Sequence, residues 1–147
     1  MPIRHRINRL RKLVVAEPHG TLTGDDLVAY QREVWSRADL SGFSELIDMA
    51  RVESLDYESM QKVKELAKLS AAMDRSPGKI AVVATDEIQI GLARMYGALR
   101  AANPGSQKQV ETFRTRDEAM KWLVSSDDAP AVRVERPKKR PRKSRRR

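Results

Sequence analysis

Two short apolar segments constrain the fold of this chain most strongly. Residues 46–50 (LIDMA) and 79–85 (KIAVVAT) are mostly apolar and lack the strict alternation of a half-exposed strand. Such segments are typical of strands that are covered on both faces, as in parallel sheets. Because a helical pattern follows each of them, the sequence predicts an α/β fold with a mostly parallel sheet.

The remaining segments complete the predicted order of elements. Residues 3–7 and 12–17 favour an antiparallel strand pair, residues 51–55 a loop, and residues 109–113 a polar edge strand. Helix starts are indicated by the capping residues Thr23, Asp56, Asp86 and Thr115. The prediction is a layered sandwich in the order β-β-α-β-α-β-α-β-α, with the four helices packed on one face of the sheet.

The third helix has the clearest apolar spacing. Ile88, Leu92, Met95 and Leu99 recur at three to four residues, which predicts that they form the buried stripe. Tyr96 is then expected to be partly buried with its hydroxyl at the rim, because a tyrosine presents an apolar ring and a polar tip.

Three segments, in this order, carry a resemblance to a known family. They are residues 19–27 (HGTLTGDDL), residues 46–49 (LIDM) and residues 90–96 (IGLARMY). Together they resemble the STAS domain of bacterial anti-sigma-factor antagonists, and most closely its SpoIIAA-like branch, over roughly residues 1–124. The resemblance implies a STAS-like sandwich that acts through interactions rather than catalysis.

The resemblance also implies a partner-docking junction between the third strand and the second helix. In phospho-regulated STAS antagonists, a strand ending in Asp-Leu-Ser leads to a helix start Asp-Ser-Ser-Gly, whose serine is phosphorylated. The matching positions here are Asp48, Asp56, Tyr57, Glu58 and Ser59. Glu58 stands at the phosphorylated position and cannot receive phosphate. We therefore expect a fixed acidic docking edge instead of a phospho-switch.

Three further residues invite a functional interpretation beside a structural one. Asp48 ends an apolar strand and is expected to pair with Arg51 or Arg94, or to cap the next loop, because an unpaired buried charge is unfavourable. His19, in a Pro-His-Gly segment, and Arg94 are candidate ligand or anion contacts. An exposed turn is the favoured interpretation of His19.

The composition argues against several classes of chemistry. The chain has no cysteine and two histidines, and shows neither a Gly-rich phosphate loop nor metal-ligand spacing. We therefore predict no catalytic residues, no metal and no cofactor. Without a secretory signal or an apolar run long enough for a membrane span, the cytoplasm is the expected compartment.

The basic charge is concentrated at the C-terminus. Residues 133–147 hold ten of the 29 Lys and Arg residues, so the net charge of +9 belongs to this segment. Residues 125–147 are predicted to be a disordered polybasic tail that binds nucleic acid or another polyanion. An anionic membrane surface ranks lower, and an inert solubilising tail is the alternative. The candidate polyanion contacts are Arg136, Lys138, Lys139, Arg140, Arg142, Lys143, Arg145, Arg146 and Arg147.

Two other functions stay open at this point. The first is a small-molecule or lipid and acyl pocket, since a related sheet-and-helix fold binds lipids. A closed apolar cavity between the helix around residues 92–99 and the sheet would favour it. The second is an uncharacterised enzyme, which would require an Asp or His with a strongly shifted pKa in a cleft.

Overall fold

The computed structural model describes residues 3–55 and 57–125, except for the side chains of residues 57–60. The strands are β1 Ile3–Asn8, β2 Leu13–Leu22, β3 Ser44–Asp48, β4 Arg51–Leu55, β5 Gly78–Val83 and β6 Lys108–Phe113. The helices are α1 Gly24–Trp35, α2 Tyr57–Met73, α3 Glu87–Ala101 and α4 Arg116–Val124, with a short 3₁₀ turn at Ala38–Leu40.

The sheet is mostly parallel, as predicted. Its strand order is β1-β2-β3-β5-β6, and only the β1–β2 pair is antiparallel. β3 and β5 pair in the centre, where Leu46 lies beside Ala81. The two apolar segments of the sequence are therefore the central strands, and the predicted α/β sandwich with an N-terminal antiparallel pair is confirmed.

The helices lie on both faces of the sheet, so the prediction of four helices on one face is wrong. One face packs against α1, α2 and α3 through side chains such as Val14, Ile80 and Val82. Alternate residues, including Leu13, Leu46 and Val83, pack against Ala119 of α4. The sequence of β3 does not indicate that helices cover both faces of the sheet in this way, because the strand is short and neither of its faces is consistently polar.

β4 replaces the loop that was predicted for residues 51–55. The second strand was predicted to end before Pro18-His19-Gly20, and this is also wrong, because β2 continues to Leu22. Residues 19–22 of β2 pair in parallel with β4. The register shifts between Gly20 and Thr21, and Gly20 has a φ of +67°. Proline and glycine normally end a strand, but here Gly20 allows a bulge that lets β2 bend and continue.

The helix starts follow their capping residues where these are described. Thr23 accepts from the N–H of Asp26, whose carboxylate accepts in return from the N–H of Thr23. Asp86 and Thr115 cap α3 and α4 in a similar way through their side-chain oxygens. Asp56, the predicted cap of α2, lies outside the described residues.

The buried side of α3 differs from the predicted stripe. Ile88 is 62% exposed and Met95 is 43% exposed, whereas Ile90, Tyr96 and Arg100 are buried. Leu92 is buried as predicted, so the stripe is right there and wrong for Ile88 and Met95. The last turn also buries an arginine, which apolar spacing alone could not indicate.

Among the described residues, no helix is long and apolar enough to cross a bilayer.

Candidate functional site

The first candidate site is the edge where β3 ends and the chain passes towards α2. Asp48 stands there at the end of β3, beside Arg116 of α4 and Glu17 of β2. One carboxylate oxygen of Asp48 accepts from Nη1 of Arg116 at 3.1 Å, and the other accepts from the N–H of Ala50 at 3.0 Å. The same Nη1 donates to Glu17 at 3.0 Å.

These contacts correct the predicted partners of Asp48. Neither Arg51 nor Arg94 pairs with it within the described part of the chain; Arg116, 68 residues away, does. The expected loop cap is present as the Ala50 hydrogen bond. The hydrogen bond from Arg116 also lowers the pKa of Glu17, which keeps this carboxyl charged. In this cluster, the carboxylates of Asp48 and Glu17 share the guanidinium of Arg116, and the hydrogen bond from Ala50 to Asp48 holds the turn after β3.

The rest of the predicted docking junction is described only in part. The backbone of Tyr57, Glu58 and Ser59 forms the first turn of α2, but their side chains and Asp56 lie outside the described residues. The predicted acidic docking edge therefore stays a prediction. Residues 126–147 of the predicted polybasic tail also lie outside the described residues.

His19 and Arg94 belong to different parts of the surface. The interpretation of His19 as an exposed turn residue is wrong, because it is half-buried in the β2 segment that pairs with β4. It lines a shallow groove with Arg4 and Arg51. Arg94 is exposed on α3 and lines neither this groove nor the cavity described next. The two candidate anion contacts therefore do not form one site.

A second candidate site is a cavity of about 70 Å³ between the sheet and the helices α1, α2 and α3. Most of its wall is apolar and includes Ile47, Met49, Val63, Leu92 and Ala93. Its polar lining consists of Tyr30, Gln31, Glu45, Lys62, Gln89 and Tyr96, and Gly24 also lines it. A cavity between the third helix and the sheet, the feature that would favour a ligand pocket, is thus present, although it is partly open rather than closed.

Glu45 is the most unusual of these polar residues. It lies on β3, is only 4% exposed, and turns its carboxylate towards α1. One oxygen, Oε2, accepts from the hydroxyl of Tyr30 at 2.5 Å and from Nε1 of Trp35 at 3.0 Å. Burial raises the pKa of Glu45 and raises the pKa of Tyr30 strongly.

Lys108 of β6 is the cation with the largest influence on the pKa of Glu45. Its Nζ lies 3.6 Å from the centre of the Trp35 ring, a cation–π contact. Burial lowers the pKa of Lys108, and the charge of Glu45 opposes that change. Glu45 thus sits in an electrostatic environment that includes a cation but not a direct ion pair.

Tyr96 and Arg100 form a separate polar network beside the cavity. The Tyr96 hydroxyl lies 2.8 Å from the Ser70 hydroxyl and accepts from Nη1 of Arg100 at 3.0 Å. Arg100, 1% exposed, pairs with Asp74 at 2.5 Å. The predicted place of the Tyr96 hydroxyl at the rim is therefore wrong, because a buried arginine binds it inside the fold. This network satisfies its own groups and serves the packing of α2 against α3.

Sequence reasoning missed Glu45 as a candidate site residue. The predicted strand began at residue 46, which placed Glu45 outside it. The signal was the alternation of Phe43, Glu45 and Ile47, which put Glu45 on the same side of a strand as two apolar residues. A carboxylate in such a position must find partners, and they come from α1.

Comparison with known proteins identifies the fold. No family model and no curated protein matches the chain. An uncharacterised protein from Shewanella loihica PV-4, of the DUF3478 family and with a SpoIIAA-like fold, is 18% identical. The match covers 82% of this chain and 93% of that one, with a TM-score of 0.54. The anti-sigma factor antagonist SpoIIAA in its unphosphorylated form is 14% identical over 82% and 96% of the two chains, with a TM-score of 0.50. The chain therefore has a SpoIIAA-like fold, as its sequence predicted.

Proposed function

We propose that this SpoIIAA-like domain is a non-enzymatic protein-interaction module that docks a partner at the junction formed by residues 48–60. The supporting observation is the cluster of Asp48, Arg116 and Glu17. It ties the turn before β4 to β2 and α4, so that the start of α2 is presented from a fixed support. A carboxylate held by both an arginine and a backbone N–H positions the chain and is poorly placed for proton transfer.

The fold likeness supports the same proposal. SpoIIAA is described as an antagonist of an anti-sigma factor, a role that concerns other proteins. In this chain, the position matched to a phosphorylated serine is Glu58. A constant negative charge there favours a partner with a basic surface and makes docking independent of phosphorylation.

The test uses charge reversal at the junction with a matched control on the same helix. Glu58→Arg changes the junction, and Glu65→Arg makes the same charge change at an exposed position of α2. Full-length wild type and both variants are used for affinity capture and mass spectrometry. We expect Glu58→Arg to lose proteins that wild type and Glu65→Arg both retain. Identical captured sets for all three proteins would contradict the proposal.

The polybasic tail is proposed to add affinity for polyanions, with nucleic acid as the first candidate. Ten basic residues within residues 133–147 would release counterions from phosphates without reading base sequence. Full neutralisation of nine phosphates gives a log–log salt slope of about −8 on duplex DNA, and partial contact gives a smaller one.

The matched control for the tail keeps its length. Duplex DNA binding is measured across salt for the full chain and for a variant in which the ten basic residues become glutamine. We expect the glutamine variant to lose both affinity and salt dependence. Equal binding by the two proteins would exclude the tail as a polyanion site.

A second candidate function is the binding of a small ligand in the cavity between the sheet and α1, α2 and α3. The observation that favours it is the combination of apolar walls with a buried carboxylate in one cavity. Ligand pockets typically combine an apolar lining with a few convergent polar groups. Saturable chemical-shift changes at the methyl groups of Met49 and Val63 on addition of n-butanol would support it.

A further inference from the structure

The cavity carries an unsatisfied acceptor. Both hydrogen bonds of Glu45 converge on Oε2. Among the described residues, none donates a hydrogen bond to Oε1, although the side chain is buried and lines the cavity. Buried polar atoms are satisfied in the great majority of cases, and a carboxylate oxygen accepts more strongly than a neutral one. The free oxygen therefore indicates where a ligand donor would bind.

A neighbouring amide has the same character. Gln31 is buried on α1, lines the cavity, and has its amide nitrogen directed to the sulfur of Met73 at 3.8 Å. Its amide oxygen accepts no hydrogen bond from the described residues. Two acceptors from β3 and α1 thus line one cavity, and both would be satisfied by the same kind of group, an N–H donor.

Burial, the largest influence on Glu45, raises its pKa. Two donors, the Tyr30 hydroxyl and the Trp35 N–H, oppose that effect, because both point at one carboxylate oxygen and favour the ionised form. Lys108, near the Trp35 ring, adds a positive charge but makes no ion pair with Glu45 within the described part of the chain. An ammonium group at Oε1 would supply this direct contact to the buried carboxylate.

We propose that this cavity binds a small primary amine as its ammonium ion, with the ammonium group on Oε1 of Glu45 and the apolar body against Met49, Val63 and Leu92. This inference rests on the second candidate function above and specifies its ligand class. A volume of about 70 Å³ has room for a short chain only. An engineered cavity of about 150 Å³ in another protein holds benzene.

Lys62 of α2 also lines the cavity, beside Gly24. An added Cβ on Gly24 would stand 2.9 Å from the Lys62 Cβ, and the Nζ of Lys62 pairs at 2.5 Å with Asp25, whose side chain is largely exposed. Because the cavity is partly open, the alkyl end of n-butylammonium, which is too long for a volume of about 70 Å³, would extend through the opening.

The experiment measures binding of n-butylammonium chloride to the full chain by methyl chemical shifts, at an ionic strength held constant with NaCl. We expect saturable shifts at Met49 and Val63 and none at Leu123, which lies against the opposite face of the sheet. Glu45→Gln keeps acceptors for Tyr30 and Trp35 but removes the charge. It should weaken butylammonium binding by about tenfold or more.

Neutral n-butanol distinguishes a failure of the cavity-binding function from a failure of the ammonium assignment. If n-butanol binds wild type and Glu45→Gln equally while butylammonium prefers wild type, the inference is supported. If n-butanol binds but butylammonium shows no preference for wild type, the cavity function stands and the ammonium assignment fails. If neither probe shifts the lining methyl groups, both are wrong. Ala93→Leu, which fills the cavity without touching Glu45, should abolish binding of both probes and provides a second test should Glu45→Gln not fold.

Discussion

The two faces of the sheet are built from different chemistry. Against α4, the buried cluster consists of apolar side chains from three strands and Ala119, and Phe113 and Trp122 lie 5.6 Å apart at its border. Against α1, α2 and α3, the sheet meets a cavity, a buried carboxylate and a buried arginine. Glu45 and Leu46 are adjacent on β3, and they enter opposite faces.

The face towards α4 therefore contributes stability through close packing, whereas the opposite face contains the candidate binding cavity. A closely packed apolar face has no free donor or acceptor and no volume for a ligand. The face towards α1, α2 and α3 has both a free acceptor and a cavity, and several of its hydrogen bonds hold polar groups inside the fold. Close packing stabilises a fold and a cavity weakens packing, so the two features lie on opposite sides of the sheet.

The largest expected effect tests the polar face through Arg100. Arg100→Met leaves Asp74 buried and without its cation, and should lower the free energy of unfolding by about 3–5 kcal/mol. Urea unfolding measures the change. The double variant Arg100→Met/Asp74→Asn should recover part of the loss, because no charge is left unpaired. A loss below about 1 kcal/mol for the single variant would mean that the polar face gains little from this pair.

A matched pair of alanines compares packing on the two faces. Ala81→Leu adds volume to the closely packed α4 face and should destabilise the fold by about 1–3 kcal/mol. Ala93→Leu makes the same change next to the cavity and should alter stability by no more than about 0.5 kcal/mol. Thermal and urea unfolding of the two variants provide the comparison. Equal losses would contradict the difference in packing between the faces.

The smallest expected effect is a pH dependence from Glu45. Burial raises its folded-state pKa above the usual value of 4.5, so the folded protein binds the proton more tightly than the unfolded chain does. Wild-type stability should therefore fall relative to Glu45→Gln as pH rises from 4.5 through the folded pKa. Lys108 and Tyr30, which face the same carboxyl, are present in both proteins. A difference in stability that is constant with pH would show that Glu45 titrates normally.

Local features were predictable from the sequence where the physics is local. The caps at Thr23, Asp86 and Thr115 depend on residues three positions away, and the structure has all three. The central strands β3 and β5 were predictable because continuous apolar segments have few alternatives. By contrast, β4 was missed because its strand character arises from pairing with the far half of β2.

The candidate site was less predictable than the fold. Asp48 was expected to be satisfied, and it is, but its cation comes from Arg116 at the start of α4. Glu45 was not identified, because nothing near it in the chain reveals the Tyr30 and Trp35 donors that surround it. The predicted α3 stripe was right for Leu92 and wrong for Ile88 and Met95, and the buried Arg100 could not be predicted because its partner Asp74 is distant in the chain.

The sequence by itself determined the order of strands and helices apart from β4, the helix starts at Thr23, Asp86 and Thr115, and the SpoIIAA-like fold, because these follow from capping, apolar periodicity and segment order. Only the tertiary structure decided which face each helix covers, which cation holds Asp48, and that a cavity remains beside Glu45. These depend on contacts between distant segments. The free energy of a buried charge or an unfilled volume is set by whatever neighbours the complete fold brings to it.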